Sequence, residues 1–145
     1  MEDMYTRTEM LVKDKVNALK NARVLVCGVG GVGGYVVEAL ARAGVGTIAV
    51  LDNDVFSVSN LNRQILSTRE TIGRRKTQVA VERIKSINPE CKTIEYDLFF
   101  NADTQDLVPL ADFDYIVDAI DTVSAKLELI TRAKSLGVDI ISCMG

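Results

Sequence analysis

A glycine cluster between two apolar patterns constrains the fold of this chain more than any other feature. The run from Val24 to Cys27 is followed at once by Gly28, Gly30 and Gly33 in the spacing G-x-G-x-x-G, and an amphipathic segment comes next. That order predicts a β-strand, a tight turn and a helix. Glycine is required where the backbone turns sharply off a strand and lets anionic oxygens approach the N–H groups of a helix N-terminus. The cluster, which also contains Gly31, therefore predicts a phosphate site.

An acidic residue and a polar loop follow the second apolar run. Asp52 ends that run and is placed to accept hydrogen bonds from a ribose. This much is common to dinucleotide-binding domains, so an NAD- or FAD-dependent oxidoreductase is one interpretation. The following loop adds a further carboxylate, several amides and a guanidinium; the candidate ligands among them are Asp54, Asn60, Asn62, Gln64 and Arg63. An enzyme that splits ATP between its α- and β-phosphates needs cationic donors and a carboxylate for Mg²⁺, whereas hydride transfer has no evident use for them.

Lys76 and Asp121 are two further candidates. Lys76 falls in the first turn of a helix predicted over residues 73–88, where a lysine opposes the helix dipole unless an anion is nearby. It is interpreted either as a polyphosphate ligand or as part of a solvated basic run. Asp121 follows a strand predicted over 114–118, at the sheet edge where ligands bind. Its carboxylate is the better Mg²⁺ candidate, or else it caps the next helix, and Asp118 is expected to be structural.

Hydrophobic periodicity along the chain predicts an α/β fold. Five strands are expected at 24–27, 47–51, 91–98, 114–118 and 138–142, with helices at 31–44, 73–88 and 124–136 and a short helix or turn at 102–110. They form a doubly wound, mostly parallel Rossmann-like sheet with helices on both faces. A surface helix is expected at 9–21. In the last helix, Leu127, Ile130 and Ala133 are expected to face the core.

Composition bounds the chemistry. The 145 residues fit one domain, and the net charge of −3 gives no general attraction to nucleic acid, so any such partner needs a local basic patch. The absence of histidine excludes histidine-dependent triads and imidazole bases from this chain. The 3 cysteines lie far apart, which supports neither a zinc site nor a disulfide framework. Without a signal peptide or an apolar run long enough to span a bilayer, a cytoplasmic protein without membrane contact is expected.

The motifs together resemble those of one superfamily. The glycine turn, the D-x-D motif, the run S-N-L-N-R-Q, Lys76 and the run D-A-I-D resemble the ATP-dependent activating superfamily of ThiF, MoeB, HesA and the ubiquitin-activating enzymes. Within it, the segments YTRTEML, RQIL, GRRK, INPEC and DAIDTVSAK most resemble the tRNA threonylcarbamoyladenosine dehydratases. The resemblance covers nearly the whole chain. It implies that residues 1–145 are a single ATP-binding domain, the N-terminal part of a longer family fold.

The resemblance also implies a reaction, in which ATP and Mg²⁺ convert a substrate carboxylate into an acyl adenylate and release pyrophosphate. Arg63 and Lys76 would neutralise the departing pyrophosphate, while Asp121 would hold Mg²⁺. Asn60 and Gln64 would fix the loop.

Arg7 lies in a Y-x-R motif. The resemblance implies that this arginine reaches the ATP of a neighbouring subunit in a homodimer. The alternative interpretation is that Arg7 is an arginine on a flexible chain terminus.

The implied substrate differs between branches. In the dehydratase branch it is the carboxylate of threonylcarbamoyladenosine in tRNA, which closes a ring with loss of AMP and a net dehydration. In the MoeB and ThiF branches it is the C-terminal Gly-Gly of a ubiquitin-fold sulfur-carrier protein. The residues do not separate the two, and a catalytically incompetent nucleotide-binding or dimerisation module is a third interpretation.

Overall fold

Five short strands form one parallel sheet in the computed structural model, which describes residues 1–144. The strands are β1 (Arg23–Cys27), β2 (Thr47–Leu51), β3 (Lys92–Tyr96), β4 (Tyr115–Asp118) and β5 (Asp139–Ser142). Their order across the sheet is β3-β2-β1-β4-β5, and every neighbouring pair is parallel. The prediction of a doubly wound α/β sheet is therefore confirmed, with strand ends within two residues of those expected.

The helices surround this sheet. They are α1 (Thr6–Val12), α2 (Val16–Asn21), α3 (Gly33–Ala43), α4 (Lys76–Ile87) and α5 (Val123–Leu136). The expected short helix or turn after β3 consists of two 3₁₀ turns, Gln105–Leu107 and Leu110–Asp112. Within residues 1–144, none of the helices combines the length and apolar character needed to cross a membrane.

The three central strands, β2, β1 and β4, are buried on both faces of the sheet, to which their successive residues point in alternation. Val24 and Val26 of β1 belong to a core cluster with α3 and α4. Leu25 and Cys27 belong to a second cluster with α5 and the segment between β3 and β4. The chain therefore winds outward from β1 over one face and returns to β4 over the other.

One charged residue couples two helices on the first face. The carboxylate of Glu38 in α3 accepts hydrogen bonds from Arg42 in the same helix at 2.9 Å and from Arg83 in α4 at 2.6 Å. These guanidinium donors lower the pKa of Glu38 below its usual value. The ion pairs join the two helices that cover β1 and β2.

Helix α5 buries a stripe that only partly matches the one expected: Ala133 is buried as predicted, while Ile130 is half-buried. Leu127 is 60% exposed, so its predicted core position is wrong. The buried stripe instead runs through Ala125, Lys126, Leu129 and Ala133. The helix carries apolar residues on two adjacent stripes, and the stripe that contains Lys126 is selected because this lysine pairs with the buried Asp118 at the end of β4.

The N-terminal segment differs from the single helix expected there. The helical conformation is interrupted at Lys13, which has a φ of 54°, and this interruption separates α1 from α2. Tyr5 anchors the segment: its ring is buried against Gly44, and the Lys20 ammonium lies 3.9 Å from the ring centroid. This anchor lies at the edge of the sheet where β2 begins.

Candidate functional site

A cleft of about 630 Å³ opens at the carboxyl ends of β1, β2 and β4, on the side of the sheet opposite the Tyr5 anchor. The chain leaves β1 toward β2 on one side and returns to β4 on the other, so this is the point at which the strand order reverses. In open parallel sheets, ligands bind in the crevice that such a reversal creates. The lining combines the glycine turn, the loops after β2 and β4, and an apolar wall from Leu98 to Phe100.

The glycine turn leaves backbone donors free. Gly28 has a φ of +90°, and a Cβ there would lie 2.5 Å from the carbonyl oxygen of Ala119, so this position accepts only glycine. The N–H groups of Gly30, Gly31 and Val32 donate to no other group in residues 1–144, and α3 begins at the next residue. Free N–H groups and the positive end of a helix dipole together form an anion site.

Asp52 ties the end of β2 to this turn. Its Oδ2 accepts a hydrogen bond from the Val29 N–H and its Oδ1 accepts one from the Asp54 N–H, both at 2.8 Å. Burial raises the pKa of Asp52 above its ordinary value, while these two bonds and the nearby Lys76 ammonium act in the opposite direction. Each carboxylate oxygen has a second lone pair, so the group can still accept a bond from a ribose hydroxyl.

Lys76 is the first residue of α4 and is only 6% exposed. Its ammonium lies 3.9 Å from the Asp54 carboxylate and 5.6 Å from the centroid of the Phe56 ring. It lines the cleft. A lysine held at a helix N-terminus works against the helix dipole, so an anion in the cleft would stabilise this arrangement.

The two residues that flank Lys76 anchor the start of α4 on the edge strand. Arg75 pairs with Asp97 at 3.1 Å and with Glu95 at 3.3 Å, and the Thr77 hydroxyl donates to Glu95 at 2.8 Å. These contacts fix the position of the lysine between them.

Arg63 lies at the rim of the cleft, beside Gly31. Its Nη1 donates to the Ser59 carbonyl at 3.2 Å and to Asn62 Oδ1 at 3.0 Å. Among residues 1–144, no carboxylate pairs with this guanidinium. The planar fork is therefore available to a phosphate.

The loop that carries Arg63 is held from within and closed at its base. The buried Asn60 accepts a hydrogen bond from the Ser57 N–H at 2.9 Å and donates its own N–H to the Ser57 carbonyl at 3.0 Å. At the base, the Phe56 N–H donates to the Arg74 carbonyl and the Gly73 N–H to the Phe56 carbonyl, at 3.0 and 2.8 Å. These bonds give the loop a defined shape.

Gln64 carries an unusual buried atom. The residue is 6% exposed and lines the cleft beside Gly30, yet its Oε1 has no hydrogen-bond partner within residues 1–144. Buried polar atoms are almost always hydrogen-bonded. The atom indicates a donor that comes from a ligand or an ordered water.

Asp121 is exposed on the wall formed by residues 119–122. Its carboxylate accepts no hydrogen bond within residues 1–144, and α5 begins without a side-chain cap, so the predicted alternative of helix capping is not observed. Within residues 1–144, no group of three acidic or cysteine side chains lies close enough together to hold a metal ion. Mg²⁺ is commonly bound by one or two carboxylates plus phosphates, so a single aspartate fits that ion when a polyphosphate is present.

Most of the predicted site residues come together. Those that line the cleft are Gly28, Gly30, Gly31, Asp52, Asp54, Arg63, Gln64, Lys76 and Asp121. Asn60, Asn62 and Gly33 do not line the cleft: Asn60 and Gly33 are buried, and the exposed Asn62 accepts a hydrogen bond from Arg63. Arg7 is exposed and lies two residues from the Tyr5 anchor, at the other edge of the sheet. The roles assigned to these side chains remain predictions.

Lys126 was not among the site residues predicted from the sequence. Asp118 is fully buried, and Lys126 is 8% exposed with its Nζ 3.0 Å from Asp118 Oδ2. The pair lies directly beneath the wall that carries Asp121. A signal for it existed, because Lys126 shares helical spacing with Leu129 and Ala133 and so puts a lysine in an apolar stripe.

Comparisons with known proteins agree with this geometry. The chain is 38% identical to the tRNA threonylcarbamoyladenosine dehydratase of Bacillus subtilis, over all of this chain and 58% of that protein. It is 35% identical to the adenylyltransferase and sulfurtransferase UBA4 of Saccharomyces cerevisiae, over 88% of this chain and 29% of UBA4. The crystal structure of the E. coli dehydratase TcdA in complex with ATP superimposes with a TM-score of 0.89 at 35% identity, and covers 96% of this chain and 58% of that one.

The chain thus spans about half the length of the dehydratases that it matches. The family model described as ThiF family matches residues 5–145, which is nearly the whole sequence. This match confirms the resemblance inferred from the motifs. The chain belongs to the ThiF family.

Proposed function

We propose that the cleft binds ATP and that the protein adenylates a substrate carboxylate. One observation carries the proposal: three unused backbone N–H groups at the N-terminus of α3 share the cleft with Arg63 and Lys76. This combination suits a polyphosphate, because N–H groups bind its oxygens while the two cations neutralise its charge.

The shape of the cleft suits the rest of the nucleotide. A volume of about 630 Å³ lies in the range typical of small-molecule sites. Asp52 is placed to accept hydrogen bonds from the ribose hydroxyls, and the apolar surface of Leu98 and Phe99 suits a purine base. The TcdA structure that resembles this chain was solved with ATP, which supports the choice of nucleotide.

The side chains have distinct parts in the proposed reaction. An oxygen of the substrate carboxylate attacks the α-phosphorus of ATP, and the bond from that phosphorus to the bridging oxygen of pyrophosphate breaks. Arg63 and Lys76 stabilise the negative charge that develops on the pyrophosphate. Asp121 would hold Mg²⁺, which would supply further charge neutralisation. Each cationic contact is expected to contribute about 2–4 kcal/mol of transition-state stabilisation.

We propose threonylcarbamoyladenosine in tRNA as the substrate. Support comes from relatives at 38% and 42% identity that are named as dehydratases of this nucleoside. Adenylation turns the carboxyl carbon into an electrophile. A nitrogen or oxygen within the same nucleoside then attacks that carbon and AMP leaves, so the net change is the loss of water.

A sulfur-carrier protein is the second candidate substrate. The relative named adenylyltransferase and sulfurtransferase UBA4 aligns with 88% of this chain at 35% identity. Adenylation of a C-terminal Gly-Gly begins with the same attack on the α-phosphorus. The same cleft would serve both substrates.

Arg7 is proposed to act between subunits of a homodimer. Tyr5 fixes the start of α1 at the edge of the sheet opposite the cleft, and Arg7 does not line the cleft of its own chain. A guanidinium away from the cleft of its own chain supports a role at the nucleotide of another copy. The proposal therefore includes two clefts, each completed by its neighbour's arginine.

Pyrophosphate exchange into ATP tests the function. Labelled pyrophosphate is incubated with the protein and ATP, together with bulk tRNA that bears threonylcarbamoyladenosine, with tRNA that lacks it, or with a carrier peptide that ends in Gly-Gly. Exchange that depends on the modified tRNA supports the dehydratase proposal, and exchange that depends on the peptide supports the second candidate. ATP binding by calorimetry without exchange in any arm would leave a nucleotide-binding module and overturn the catalytic proposal. Tight binding of a nicotinamide dinucleotide without ATP affinity would overturn both.

A further inference from the structure

The direction of Asp121 depends on the residue before it. The Asp121 carboxylate accepts no hydrogen bond of its own within residues 1–144, so its position is set by the backbone. Both polar backbone groups of Ile120 are held by charged side chains: its N–H donates to Asp118 Oδ1 at 3.1 Å and its carbonyl accepts from Lys126 Nζ at 2.9 Å. The peptide that leads into Asp121 is therefore clamped.

The clamp belongs to a buried network between the ends of two strands. The Lys126 ammonium also donates to the Cys143 carbonyl at 2.6 Å and lies 3.0 Å from Asp118 Oδ2. The Ser142 hydroxyl donates to the same Asp118 oxygen at 2.6 Å. The ammonium thus donates to two carbonyls and forms an ion pair with one carboxylate, and the network joins the wall of the cleft to the end of β5.

We propose that Lys126 is a positioning residue, which holds Asp121 toward the cleft through the Ile120 peptide. The importance of Asp121 rests on the proposed function, whereas the clamp itself does not.

Packing alone does not explain this network. A buried ion pair can often be replaced by apolar side chains of similar volume without loss of stability, because the charges must be taken out of water. Apolar side chains could not bind the N–H and the carbonyl of Ile120. An ammonium and a carboxylate on opposite sides of one residue bind both groups at once.

The test uses four variants of the whole chain, and one of them, Lys126→Arg, keeps a cation at the same position. Lys126→Met alone leaves the Asp118 carboxylate buried without its partner and threatens folding. The double variant Asp118→Asn with Lys126→Met removes both charges and keeps an amide oxygen that can accept from the Ile120 N–H. The matched control is Lys134→Met, which removes an exposed lysine from the same helix.

Amide hydrogen exchange in the ligand-free protein gives the first readout. In the double variant, exchange at the Ala119 and Ile120 amides, which donate to the Cys27 carbonyl and to residue 118, is expected to become roughly tenfold faster, because local opening no longer breaks the bond to the Ile120 carbonyl. The control should match the wild type, and Lys126→Arg should restore most of the protection. A folded double variant with unchanged exchange at these amides would overturn the proposal.

The second readout is the Mg²⁺ concentration that gives half-maximal pyrophosphate exchange. It is expected to rise roughly 10- to 100-fold in the double variant, with a smaller change in the rate at saturating Mg²⁺, as when a group that orients a metal ligand is removed. If the double variant had only lost folded protein, the rate would fall and this Mg²⁺ concentration would stay the same. An unchanged Mg²⁺ concentration would therefore also overturn the proposal. The double variant could show faster amide exchange while the wild type shows no pyrophosphate exchange. That result would support the clamp and refute the proposed function.

Discussion

A side chain on Gly33 would collide with the backbone of Gly28. A Cβ at Gly33 would lie 1.6 Å from the Gly28 carbonyl oxygen, far inside van der Waals contact. The first turn of α3 can therefore dock on the strand-to-helix turn only because this position carries a hydrogen atom. The close docking brings the free N–H groups of the turn to the edge of the cleft.

Gly33→Ala is expected to destabilise the fold strongly. The added methyl group meets backbone atoms that cannot rotate away, so the free energy of unfolding should fall by about 3 kcal/mol or more. Urea unfolding followed by circular dichroism measures this change. Gly30→Ala is the control, because its new Cβ would meet its nearest neighbour, the Gln64 amide nitrogen, at 3.5 Å, an ordinary contact. Equal stability of the two variants would contradict the steric argument.

Arg63→Ala is expected to slow pyrophosphate exchange while the fold stays intact. Removing the cation that is proposed to stabilise the departing pyrophosphate should cost about 2–4 kcal/mol, or roughly 30- to 1000-fold in rate. The melting temperature should change little, because the guanidinium is exposed and bonds only within its own loop.

Arg69→Ala is the matched control for that variant. Arg69 is exposed on the same loop and lies outside the lining of the cleft. Its removal changes the net charge equally and should leave the exchange rate within about twofold of the wild type, as for a screened surface charge. If the two variants lost activity equally, the specific role of Arg63 would be refuted.

The ion pairs between α3 and α4 should make the free energy of unfolding depend on pH in the acidic range. The guanidinium groups of Arg83 and Arg42 hold the pKa of Glu38 below its ordinary value of 4.5, so the carboxylate stabilises the folded state fully above that pH. The contribution is lost as the pH falls through the lower, folded-state pKa. Glu38→Gln should therefore cost on the order of 1 kcal/mol at neutral pH and nothing once the pH is well below the folded-state pKa of Glu38.

Urea denaturation of wild type and Glu38→Gln at several pH values measures this difference. A gap between the two proteins that stays constant from neutral to acid pH would show that the charge on Glu38 is not responsible.

Mixed dimers test the proposed action of Arg7 on a neighbouring subunit. Arg7→Ala and Arg63→Ala should each show strongly reduced pyrophosphate exchange alone. After mixing and subunit exchange, a dimer with one chain of each kind has one cleft with both arginines, so about a quarter of all clefts should regain activity. Pyrophosphate exchange before and after mixing measures the recovery. Dimers that form and exchange subunits without any recovery would place Arg7 outside the reaction.

Much of this architecture could be predicted from the sequence, because strand, turn and helix signals follow one another along the chain in the order of the fold. The glycine turn marks the end of β1, and Asp52 and Asp121 follow strands at the same edge. Parallel strands bring their carboxyl ends together, so the position of the cleft follows from the order of the elements.

The burial of Lys126 could not be predicted in this way. Helix α5 carries two apolar stripes that overlap in periodicity, and the stripe through Leu127 looks more hydrophobic than the one that contains a lysine. Tertiary contacts determine which stripe of α5 is buried, because Lys126 is neutralised by Asp118 and donates hydrogen bonds to two backbone carbonyls. The break at Lys13 was missed for a similar reason, since Tyr5 and Val16 are buried on the sheet and the chain between them must adapt.

The bonds that close the loop around Arg63 determine when its conformational entropy is lost. Because the Asn60 amide and the Phe56 backbone fix the loop in the folded chain, the cost of ordering falls on folding and not on the encounter with a nucleotide. More of the attraction between the guanidinium and a phosphate then appears as affinity. A looser loop with the same arginine would bind the same anion more weakly.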